Sequence, residues 1–213
     1  TRLALHYARE VSTELAKRDK RAKPLKSVPT WEAVERGART AREFVIPPPG
    51  WDADPMLLGT PGGVVDLTTG QMRAGRPEDY ISKATAVAPV DSFDPKDCPQ
   101  WLAFLGHALG GDAAAIRFFQ QWAGYNLTGS TREHVLLFVY GPGGSGKTTA
   151  MDLLMTMMKE YGIGVATSTL VAKQHDAHAQ ELARLHGPRM AVATETEAGA
   201  KWAESRIKAL TGG

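Results

Sequence analysis

Cysteine is almost missing from this sequence: Cys98 is the only one among 213 residues. No internal disulfide can form, so packing and hydrogen bonds must hold the chain, and a reducing compartment is expected. No apolar run is long enough to span a bilayer and no signal-peptide pattern occurs, so the expectation is a cytoplasmic protein without a membrane partner. Neither sign of charge dominates. The 25 Lys+Arg and 23 Asp+Glu leave a net +2, too little to argue for nucleic acid, so any basic surface must be local. Repeats and low-complexity tracts are also absent, which excludes solenoid architectures. The 43% hydrophobic and 23% charged residues are those of an ordinary globular protein, long enough for one large domain or two small ones.

The strongest pattern lies at residues 134–161. VLLFVY at 135–140 is apolar, rich in β-branched and aromatic residues and closed by glycine, which predicts a buried strand. After residue 147, Met151, Leu154, Met155 and Met158 recur at helical spacing. Between them, GPGGSGKTT at 141–149 satisfies G-x-x-x-x-G-K-[ST] in a strand–loop–helix context. A triphosphate needs many donors at short range, and backbone N–H groups approach it only where no Cβ intrudes. The expected nucleotide-binding set is therefore Gly141, Pro142, Gly143, Gly144, Ser145, Gly146, Lys147, Thr148 and Thr149. Lys147 is expected to reach the β- and γ-phosphates of ATP and the Thr148 hydroxyl to ligate Mg²⁺, while Thr149 packs or caps the helix.

Upstream, Leu5, Ala8, Val11 and Leu15 share a face, predicting an amphipathic helix from Leu3 to about Lys20. The basic run at 17–26 reads as a solvated helix end and linker before it reads as a nucleic-acid patch. Thr30 is placed to cap a second helix through Phe44, broken by the prolines at 47–49. Strands are expected at 56–60 and 63–67, with a glycine turn leading to 71–73. Asp52 and Asp54 form a D-x-D pair that reads as a turn rather than a metal site, and 88–99 reads as a connector. Helices should follow at 100–109 and, capped by Asp112, from there to about Tyr125.

Beyond the loop helix a strand is expected at 164–171, then a polar loop and helix ending near Gly187. His175 and His178 there read as solvent-facing rather than metal-ligating. The run 189–195 predicts a buried strand ending in Glu195, an acid that could hold Mg²⁺ through water or orient an attacking water. Glu197 lies on the same side by strand alternation; Glu195 is favoured because it directly follows the apolar run.

Four stretches together resemble the superfamily 3 helicase module of phage and plasmid primase-helicases, related to the poxvirus primase-helicase. They are residues 62–87, 101–129, 141–149, and 189–197 continued at 206–213, in the family's order. The resemblance implies an α/β phosphate-loop NTPase core of the AAA+-like ring-ATPase type at 96–213, preceded by a smaller α+β accessory domain at 1–95. It implies a DNA-stimulated ATPase that translocates on single-stranded or forked DNA as a ring, expected to be a hexamer, with a primase domain or initiator as partner. If the source is a phage or plasmid, the host cytoplasm is implied. Gly146, Lys147, Thr148 and Glu195 carry over as nucleotide and Mg²⁺ residues, with Lys147 and Glu195 as the catalytic pair and Lys208 as a DNA-contacting position. The family's sensor asparagine and arginine finger would lie beyond Gly213. The first residue, inside an expected helix, and the terminal Thr211-Gly212-Gly213 lead to the expectation of a piece of a longer protein with weak activity alone, since an arginine finger is worth ~10³–10⁵ in rate. Other phosphate-loop enzymes and an ATP-binding oligomeric scaffold are the competing expectations; no guanine-specifying N-K-x-D occurs, and LTGG at 210–213 follows the acidic strand instead of preceding it.

Overall fold

The computed structural model describes residues 2–40, 50–171, 182–194 and 201–212. The chain divides into two compact units, Thr1–Trp51 and Asp52–Gly213, so residue 95, the boundary expected from the sequence, falls inside the second unit.

The first unit is helical. Helix α1 spans Arg2–Arg18 and α2 spans Val28–Thr40, joined by a 3-10 helix at Lys20–Lys26 that Asp19 caps by accepting from the Arg21 N–H. The helix α2 starts two residues before the expected cap, and Thr30, inside its first turn, shares a hydrogen bond with Ser27 Oγ at 2.8 Å. Its expected extension to Phe44 lies outside the described residues.

The second unit opens with an antiparallel meander. Strands β1 (Leu57–Thr60), β2 (Gly63–Asp66) and β3 (Gln71–Arg73) pair in order, with Leu58 opposite Val65 and Val65 opposite Met72. Turn chemistry explains the sharp reversals: Asp66 accepts from both the Thr68 N–H and hydroxyl, and Gly70 takes the left-handed conformation at φ 74. Helices α3 (Pro99–Ala108) and α4 (Ala113–Tyr125) follow; the Asp112 carboxylate accepts from the N–H groups of Ala114 and Ala115, satisfying two of the donors a helix start leaves open. Helix α5 (Lys147–Met158) leads to β4 (Gly162–Val165), which runs parallel to β5 (Met190–Ala193); α6 (Glu204–Leu210) closes the described chain.

Two apolar clusters organise this unit. Leu58, Val65, Met158, Tyr161 and Met190 bury together, joining the meander to α5 and β5. Leu105, Phe119 and Ala150 form the second, among α3, α4 and α5. The methionine and leucine stripe of α5 serves both, as its helical spacing predicted.

One expectation fails clearly. Residues 135–140 form no strand and enter no sheet, and the described strands make only small sheets, with no central strand before the glycine loop. A run apolar on both faces needs a neighbour on each edge and cover on each side. Here only Leu137 finds cover, in the second cluster, while Phe138 and Tyr140 are 59% and 83% exposed. The strand expected at 164–171 is likewise shifted: it starts at Gly162, and residues 167–169 turn as a 3-10 helix that packs Thr169 inside.

Candidate phosphate-binding loop

Residues 141–146 are irregular and run straight into α5. Gly146 is the N-cap at φ 84 and ψ 3, and Gly144 has φ 76; both lie in the left-handed region open chiefly to glycine. Gly146 is fixed by contact as well. A Cβ there would sit 2.7 Å from Cε2 of Phe104 and 2.9 Å from its Cζ, so α3 presses an aromatic ring against the loop where only a hydrogen fits. Phe104 in turn stacks on Trp101 with centroids 5.4 Å apart. Sequence reasoning identified the glycine but not the ring that requires it, 42 residues upstream.

Lys147 turns its ammonium back into the loop. It donates to the carbonyls of Gly141 at 2.9 Å and Pro142 at 2.8 Å and to Ser145 Oγ at 3.1 Å. The loop is thereby drawn around one cation, anchored on the first turn of a helix. That turn contains no acidic residue and no side-chain cap, so the positive end of the helix is not neutralised by its own sequence. Thr148 and Thr149 are both exposed on this turn. A cation and a helix start converging on a glycine-rich bend form an arrangement suited to a multiply charged anion.

The other expected site residues are not gathered here. Glu195 and Glu197, like His175 and His178, lie outside the described residues. Strand β5 is present up to Ala193. Lys208 is exposed in the last turn of α6, and no hydrogen bond or ion pair joins it to the loop among the described residues. No cluster of three or more His, Cys, Asp or Glu suited to a metal occurs among the described residues.

A second polar assembly, which the sequence did not signal, ties the meander to the rest of its unit. Tyr161 is 1% exposed; its hydroxyl accepts from the Gly59 N–H at 3.0 Å and donates to the Lys83 carbonyl at 3.1 Å. The Arg189 guanidinium lies 4.6 Å over the Tyr161 ring and donates to the carbonyls of Leu57, at 2.7 Å, and Leu127. Burial pushes the Tyr161 hydroxyl pKa up and that of Arg189 down. Asp52, half of the D-x-D pair, sits in a turn and accepts from the Ser82 N–H and hydroxyl and from Lys83 Nζ at 2.9 Å. Burial raises its pKa, but the bonds from Lys83 and Ser82 outweigh this and leave the carboxyl below its ordinary range.

The D5 N-terminal-like family profile matches residues 1–110, just over half of the chain. The chain belongs to the D5 N-terminal-like family. That region takes in the whole helical unit, the meander and α3, and so includes the helix that carries Phe104. The chain is also similar to a Frog virus 3 (isolate Goorha) protein named "Putative helicase 022R", with 24% identity over 225 aligned positions. This match covers 76% of the chain but only 23% of the viral protein, so the chain spans less than a quarter of that relative's length.

Proposed function

We propose that this chain is part of the ATP-driven DNA helicase motor of a primase-helicase-type replication protein. The observation that carries the reading is the glycine loop closed around Lys147 at the start of α5, in a chain whose N-terminal half is D5 N-terminal-like. In this reading the Lys147 ammonium exchanges the Gly141 and Pro142 carbonyls for the β- and γ-phosphates of ATP. The N–H groups of the bend and of the first turn of α5 bind the remaining phosphate oxygens. The Thr148 hydroxyl would hold Mg²⁺, which supplies charge neutralisation at the phosphates. Phe104 positions Gly146 and so holds the loop on its helix.

Glu195, two residues in sequence beyond the end of β5, is the proposed acid that orients the attacking water, with Glu197 as the alternative. Lys208 is the proposed DNA contact. Assembly as a ring, a hexamer by the resemblance, would place the motor around single-stranded DNA, in the cytoplasm and beside a primase domain or initiator. The direct test is DNA-stimulated ATP hydrolysis. Glu195→Gln should retain ATP binding and lose turnover; unchanged turnover removes Glu195 from the role. Wild-type protein that binds ATP without DNA-stimulated turnover is a nucleotide-binding scaffold instead.

A further inference from the structure

The helical unit carries an apolar groove between α1 and α2, with a volume of about 610 Å³. Tyr7, Val11 and Leu15 line one side, Trp31 and Val34 the other, and Leu25 of the connecting 3-10 helix closes one end. These side chains are open to solvent: Val11 is 56% exposed and Val34 51%. The floor, by contrast, is fixed. The Trp31 indole N–H donates to Ser12 Oγ at 2.8 Å; Ser12, 6% exposed, donates onward to the Arg9 carbonyl, and the Arg9 guanidinium lies 5.9 Å from the Trp31 ring. Two helices pinned by a partly buried hydrogen bond present a preformed trough, so a ligand need not order it.

Length and charge say what fits. From Tyr7 to Leu15 the α1 wall rises about 12 Å, the length of a two- to three-turn helix segment. The closed end is strongly basic. Leu25 lies between Lys23 and Lys26, with Lys20 one turn earlier; all three are exposed and none has an ion-pair partner among the described residues. Two nearby acids are already engaged, Glu14 with Lys17 and Arg18, and Asp19 with Arg21 and as the cap, which leaves exposed Glu32 on α2 against the three lysines.

We propose that the α1–α2 groove is a docking site for an amphipathic helix of a partner protein, its apolar stripe in the trough and acidic residues at the end facing Lys20, Lys23 and Lys26. Apolar anchors at helical spacing supply the affinity, and the lysines set the direction in which the helix lies.

The test uses the full chain and a fluorescent synthetic helical peptide, with leucines on one face and glutamates in its last turn. A control peptide carries lysines in place of the glutamates. By anisotropy the acidic peptide should bind saturably, and about tenfold more tightly than the control, as expected of three partly screened charge pairs. Binding should weaken with salt. Val34→Glu, at an exposed position, should abolish binding with unchanged circular dichroism. The triple variant Lys20→Glu, Lys23→Glu, Lys26→Glu should invert the preference between the peptides, a readout that does not depend on Val34. Absence of saturable binding by the wild type, equal affinity for both peptides, or a salt-independent affinity would overturn the proposal. So would sedimentation showing a dimer that Val34→Glu splits, because the groove would then belong to a second copy of this chain.

Discussion

Replacing Arg189 by methionine removes the clamp between the meander and the rest of its unit while keeping most of the stem's volume. Two bonds from a charged donor are lost, to the Leu57 and Leu127 carbonyls, together with the contact over Tyr161. A bond to a charged group is worth about 1.5–3 kcal/mol, and a partly desolvated cation over an aromatic ring about 1–2. Relief of the desolvation that lowers the Arg189 pKa offsets part of the sum. The expected net loss is roughly 2–5 kcal/mol. For a chain of this size that corresponds to about 10 °C in Tm. Urea unfolding followed by tryptophan fluorescence reads it, since Trp122 packs on both apolar clusters of the same unit. Arg189→Lys should fall between, because an ammonium keeps the charge but cannot fork to two carbonyls while lying flat on the ring. A methionine variant within about 0.5 kcal/mol of wild type, or a lysine variant equal to it, would refute the clamp.

Two further predictions concern single residues. Gly146→Ala should cost roughly 2–4 kcal/mol, from the positive φ and the Phe104 ring together, whereas Gly143→Ala, with open space and no positive φ, should be nearly neutral. Thermal denaturation of the pair checks this, and equal losses at the two glycines would contradict it. Asp79 is held at a pKa of about 2 by its hydrogen bonds from Arg73, at 2.7 and 2.8 Å, and from the Arg76 N–H. A depressed folded-state pKa means its stabilisation is complete above the ordinary value near 4 and is lost as pH falls toward 2. Asp79→Asn should flatten that part of a stability profile measured between pH 5 and about 2; an unchanged acid slope would show that the pair contributes nothing.

Local chemistry was legible in the sequence. Asp112 caps α4 because a side-chain oxygen one residue before a helix can accept from its open N–H groups, and the meander follows from short apolar runs at 56–60 and 63–67 and the glycine turn before 71–73. The glycine-lysine pattern likewise foretold a bend at a helix start. Residues 135–140 misled because an apolar run states a need for burial and does not supply the neighbours that would meet it. Long-range pairs left no trace at all. Phe104 against Gly146, and Arg189 between Leu57 and Leu127, join positions 42 to 132 residues apart, and no local spacing encodes such meetings.

Whether the bend at 141–146 with Lys147 binds the phosphates of a nucleotide can be read from the thermal stability of the chain across added ATP·Mg²⁺. A ligand that binds only the folded state raises stability with its concentration, by about 2.7 kcal/mol at a hundredfold excess over Kd. The wild type should show a saturable rise in Tm, and Lys147→Ala, measured against its own ligand-free baseline, should show none. A wild type indifferent to ATP·Mg²⁺, or a Lys147→Ala variant stabilised to the same degree, would contradict phosphate binding at this bend.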